Sequence, residues 1–150
     1  MAYCTSDDVR IAIYGEVNDV DKPTAAQITA IIVDIDNEIN MHLQMIGITP
    51  SLITNTAALG ILKKFSKYGS AGTMGMTLQS LGALVTGVQP DWYYEKYQMF
   101  LEDLLVNKGY WTIALTGTAN IGGCIASDVT DGVTTTTEAD ANKLGNSLLG

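Results

Sequence analysis

The stretch from Thr24 to Ile46 leaves this chain the fewest choices. At 100° per residue, Ile28, Ile31, Ile32, Ile35, Ile39, His42, Leu43 and Ile46 fall within an arc of about 120°. Asp34, Asn37, Glu38 and Gln44 fall on the other side. A strand would need alternation, and Ile31-Ile32-Val33 breaks it. Gln27 follows Thr24 by three residues, the spacing of a capping box, and Pro23 discourages helix upstream. Gly47 and then Pro50 mark the stop. A helix of about 22 residues would be about 33 Å long at 1.5 Å per residue. An apolar stripe of that length must be covered by neighbours.

The flanking segments are suited to cover it. Thr5-Ser6-Asp7-Asp8 sets a capping hydroxyl ahead of two carboxylates, and Gly15 closes a first helix of about ten residues. A helix so short needs tertiary support. Thr49-Pro50 predicts a third helix, with Thr49 as N-cap and Ile53, Ala57, Ile61, Phe65 and Tyr68 as its apolar stripe. Lys63, Lys64 and Lys67 then fall in its last turns, where they read as a solvated helix end that suits the dipole. Pro90-Asp91 opens a fourth helix, with Asp91 as N-cap and Gly109 as its stop. Tyr93, Tyr94, Tyr97, Phe100, Leu101, Leu104 and Leu105 share its broad face. Trp92, Met99 and Val106, spaced by seven, lie opposite. That second stripe is either an accident of spacing or a contact for a neighbouring subunit. The expectation is an all-α fold, a small four-helix bundle over 1–109. Ile28, Ile35, Ile39, Ile61, Phe65, Tyr97, Leu101 and Leu104 form its expected buried centre.

Two segments read differently. Gly69 to Gln89 carries Gly69, Gly72, Gly75, Gly82 and Gly87, and predicts a Gly-rich loop, mobile or buried at an interface. Thr77 to Val85 could form a short helix within it. The stretch lacks the Gly-Lys-Ser/Thr ending or the GxGxxG pattern of a phosphate-binding loop. Tyr110 to Leu115 is aromatic and β-branched, with Trp111, Ile113 and Leu115 alternating, and predicts an extended segment. The polar, Thr-rich remainder makes 110–150 an extended C-terminal arm. Tyr110, Trp111, Ile113 and Leu115 would then dock on a partner by β-augmentation, or fold back on their own bundle.

Chemistry is sparse. His42 is the chain's single histidine and lies on an apolar face, where a core or interface role fits better than metal ligation. Cys4 has no base placed near it by sequence, and Cys4 and Cys124 form no CxxC pair. The Asp19/Asp21 and Asp34/Asp36 pairs lack the glycine and distal Glu of a calcium loop and read as surface charge. No catalytic residue, cofactor or metal is expected. Charged residues are 16% and hydrophobic ones 47%, which argues against a disordered chain. The formal net charge of −8 disfavours binding to nucleic acid. No signal peptide or membrane span is expected, and the cysteine usage fits a reducing compartment.

Three segments carry a resemblance. Tyr3-Cys4-Thr5-Ser6-Asp7-Asp8-Val9 resembles the opening of phage head–tail connector proteins, also called adaptors or head-completion proteins. Asp34-Ile35-Asp36-Asn37-Glu38-Ile39-Asn40 is similar to the second helix of that family, and Trp92 through Leu105 to its last helix. The resemblance spans roughly Tyr3 to Lys108. It implies a helical bundle that assembles with itself into a ring, usually of twelve copies, beneath the portal protein of a virion. Such a ring extends the DNA channel, lets DNA pass without specific binding, and offers a platform to a stopper or tail-completion protein. The implied location is the virion neck, after synthesis in the host cytoplasm. A stopper or tail-completion protein is the nearest alternative. A small ligand-binding domain or enzyme using the Gly-rich loop is a more distant one.

Overall fold

Thr5 and Thr24 each open a helix through local hydrogen bonds that their neighbours dictate. In the computed structural model, which describes residues 1–15, 23–82 and 89–117, both capping boxes are closed. Asp8 N donates to Thr5 Oγ1 at 3.2 Å, while Thr5 N donates to the Asp8 carboxylate at 2.9 Å. Thr24 and Gln27 repeat the exchange at 3.2 and 2.9 Å. The first box starts α1 (Ser6–Tyr14), which Gly15 ends in the left-handed region at φ 76°. The second starts α2 (Ala25–Met45), which buries Ile28, Ile32, Ile35, Ile39 and Leu43 as its spacing predicts.

The third helix departs from expectation. Thr49-Pro50 opens only a single 3-10 turn, Pro50–Leu52, and the Thr49 side chain caps nothing. The chain then extends through Ile53, and Asn55 caps α3 (Thr56–Ser80) by accepting from Ala57 N and Ala58 N. The later start rotates the buried stripe to Ala58, Leu62, Ser66 and Gly69. Ile61, Phe65 and Tyr68 border the core half-buried, and Ala57 is exposed.

Gly69 to Ser80, expected as loop, is the second half of α3. Its glycines recur every three residues where neighbouring helices lie close, against backbone at Gly72 and against side chains at Gly69 and Gly75. A Cβ on Gly72 would sit 2.7 Å from Tyr94 N, one on Gly75 2.5 Å from Pro90 Cγ, and one on Gly69 2.8 Å from Ile35 Cγ2. Each glycine costs the helix about 1 kcal/mol relative to alanine. The close approach of α2 and α4 offsets that cost. Residues 83–88, the remainder of the expected loop, lie outside the described residues, as does the arm beyond Gly117.

The fourth helix, α4 (Pro90–Val106), begins two residues earlier than predicted. Gln89 holds the N-cap position, Pro90 follows it, and Asp91 lies in the first turn. Asn107 ends α4 and at once begins α5 (Lys108–Thr116), so Gly109 lies inside a helix and stops nothing. The extended reading of Tyr110–Leu115 is corrected here. The helix buries Trp111, Thr112 and Leu115 and turns Ile113 outward. Two partners explain why the local preference for an extended state loses. Trp111 packs edge-on against Phe100, and its Nε1 donates to the Asp103 carboxylate at 2.6 Å.

The described residues contain no strand, so the described fold is all-α. Their apolar core has two parts. One joins Ile35, Ile39 and Leu43 of α2 to Leu62, Tyr97, Leu104 and Leu115. The other joins Val9 and Ile13 of α1 to Ile28, Ile32, Met74 and Leu78. Both α2 and α3 run through both parts. Among the described residues, no helix is long and apolar enough to cross a membrane.

Candidate functional site

Helix α4 presents its core face to α2 and α3, and this fixes what its other side offers. Tyr97, Phe100, Leu101 and Leu104 point inward. Trp92, Met99 and Val106 lie opposite and are 41, 52 and 78% exposed. Met99 and Val106, with Glu102 and Asp103, line a shallow dent of about 200 Å³. On α5, Tyr110 and Ile113 are exposed, whereas Trp111 and Leu115 are buried within the chain's own core. Five of the seven residues expected at an interface are therefore on the surface. Trp111 and Leu115 are occupied internally.

Beside this stripe lies a ledge that the sequence reading missed. Lys64 and Lys67 stand mid-helix, because α3 continues to Ser80, so a helix-end dipole does not account for them. Lys64 Nζ lies 5.9 Å from the Phe65 ring centre and 5.7 Å from that of Tyr68; Lys67 Nζ lies 5.9 Å from Tyr68. The Tyr68 ring meets Trp92 edge-on at 5.6 Å, and Lys96 Nζ sits 5.8 Å from Trp92. The signal available in the sequence was Lys96, one turn after Trp92. Lys63, by contrast, pairs with Asp8 at 3.1 Å. Asp8 is held below the usual carboxylate range: burial pushes it up, but hydrogen bonds from Thr5 and Lys63 outweigh that.

A buried polar cluster lies at the seam between the two parts of the core. Asp36, read from sequence as surface charge, is buried; Asp34 is exposed as expected. Ser66 Oγ donates to Asp36 at 2.5 Å, and Tyr3 N donates to its other oxygen at 2.8 Å. Ser66 Oγ also lies 3.1 Å from the Cys4 sulfur, so its single proton is shared between two acceptors. Burial raises the Asp36 pKa, against the pull of the Ser66 and Tyr3 hydrogen bonds. It raises that of Cys4 as well, so the thiol stays protonated and enclosed. His42 takes no part; its Nδ1 lies 2.9 Å from the Glu38 carbonyl oxygen one turn back. As chemistry, the cluster is a clamp: it ties residues 3 and 4 to α2 and α3.

Two tyrosines extend the clamp. Tyr3 Oη donates to Asn40 at 2.5 Å, and its pKa is pushed up to about 12 by burial and by the Asp36 charge. Tyr97 Oη donates to Glu38 at 2.6 Å, and burial and that hydrogen bond raise its pKa strongly.

An apolar groove of about 630 Å³ lies elsewhere, lined by Tyr14, Pro23, Ile31, Met74, Leu78 and Leu81. No protein-family model, curated protein or solved structure matches this chain.

Proposed function

We propose that this chain is a structural virion protein, a head–tail connector that assembles as a ring beneath a portal and extends the DNA channel. The observation that carries the reading is a convergence. The three segments that resemble connector proteins are far apart in sequence, yet the first and the third are both bonded to the second, on α2. Tyr3 of the first bonds Asp36 and Asn40 of the second, and Tyr97 of the third bonds Glu38. Two further observations support it. An exposed apolar stripe opposite a well-formed core face calls for a partner. A net charge of −8 suits a channel through which DNA slides without adhering.

The test is co-expression with the portal protein encoded in the same genome. A tagged chain is expected to retain the portal and to add a layer of density below it in negative-stain images. A portal that never co-purifies, at any salt concentration, would remove the reading.

A further inference from the structure

Among the described residues, Lys64, Lys67 and Lys96 form no ion pair, although they gather on one aromatic ledge. The rings of Tyr68 and Trp92 hold one side of each ammonium by cation–π attraction. No carboxylate meets any of the three among the described residues, and the one other contact of Lys96 Nζ is Met99 Sδ at 4.0 Å. The ledge is bounded by the α4 stripe. Beyond Met99 and Val106 lie Glu95 and Glu102, which also form no ion pair among the described residues. At 100° per residue, those two carboxylates point within about 20° of each other and roughly 100–120° away from Lys96. One surface therefore carries a lysine strip, an apolar ridge and an acidic strip, side by side.

We infer that the occupant of the lysine–aromatic ledge is a second copy of this chain. Its Glu95–Glu102 strip meets Lys64, Lys67 and Lys96, and Met99 and Val106 pack between them. Charge complementarity selects this occupant, because every copy carries both strips and their pairing leaves neither unmatched. Nucleic acid is the competing anion. Three ammonium groups on a chain of net charge −8 are a weak footing for a polyanion. The inference rests on the connector reading only in that copies of the chain assemble with one another.

The test reverses the charges. The triple variant Lys64→Glu, Lys67→Glu, Lys96→Glu and the double variant Glu95→Lys, Glu102→Lys are examined by sedimentation velocity. Each is run alone and in an equimolar mixture, with and without portal, and circular dichroism verifies helicity. Each variant alone is expected to lose assembly by at least tenfold in concentration, and the mixture to recover it, since each then supplies the strip the other lacks. Wild-type assembly should also weaken between about 0.1 M and about 1 M salt, as the Debye length falls from about 10 Å to about 3 Å. Unchanged assembly of either variant, or a mixture that recovers nothing, overturns the inference while leaving the connector reading intact. A labelled oligonucleotide supplies the other arm. Tight binding that the lysine reversal abolishes, by a wild type that never self-associates, overturns the inference and gives the ledge to nucleic acid. Wild-type assembly that stops at two copies upholds the strip contact and removes the ring.

Discussion

Asp36 concentrates the residue-scale consequences. Its folded pKa is raised, so between the unfolded and folded values the folded chain binds more proton there than the unfolded chain does. The sign follows: stability from this group is greatest below the usual carboxylate range and is lost as pH rises through the raised value. Asp8 has a lowered pKa and acts oppositely, its contribution lost as pH falls. Comparing the wild type with Asp36→Asn cancels the Asp8 effect. Asparagine retains one acceptor for Ser66 but turns an amide toward Tyr3 N, so the variant should be the less stable. Urea unfolding between pH 7 and pH 4 should show the stability gap widening toward acid. A gap that is constant, or that narrows, would contradict the buried placement. Nothing local in the sequence distinguished Asp36 from Asp34. Its partners, Tyr3 and Ser66, lie 33 and 30 residues away, and only tertiary packing brings them together.

Elements were legible where their signals are local. The capping boxes at Thr5 and Thr24 use bonds spanning three residues, and both helices start where those residues say. The second half of α3 was illegible for the opposite reason. Low helix propensity at Gly69, Gly72 and Gly75 is a local signal, but the approach of Tyr94 and Pro90 is not. Two substitutions in the same helix separate these effects. Gly60 has open space around it, so Gly60→Ala should raise stability by about 0.5–1 kcal/mol. Gly72→Ala would press a methyl onto the Tyr94 backbone and should lower stability by about 1–3 kcal/mol. Chemical denaturation of the two variants reads both, and equal effects would remove the close helix crossing. The same reasoning covers α5. Alternation at Trp111, Ile113 and Leu115 suggested a strand, whereas burial follows Trp111, Thr112 and Leu115. A chain ending at Asn107 should therefore be less stable than one ending at Gly117 by at least about 3 kcal/mol, from the lost burial of Trp111 and Leu115. Equal melting of the two would return 108–117 to the status of a loose arm.

At the scale of the whole molecule, α2 and α4 turn one side inward, α3 is buried on nearly all sides from Gly69 to Gly75, and α4 keeps an outer face that nothing in the described chain covers. The stripe of Trp92, Met99 and Val106 was legible from its spacing of seven, because position on a helix is local geometry. The lysine ledge beside it was not, since it joins residues of two helices, α3 and α4. The central claim is that copies of this chain meet through that outer face of α4. Native mass spectrometry of the chain mixed with the portal protein proposed as its partner tests it most directly, comparing the wild type with the double variant Met99→Asp, Val106→Asp. Both positions are exposed, so the variant should keep the helical content and thermal midpoint of the wild type. The account predicts that the wild type loads onto the portal as a ring of copies and the variant does not. A folded variant that loads as many copies as the wild type would contradict it.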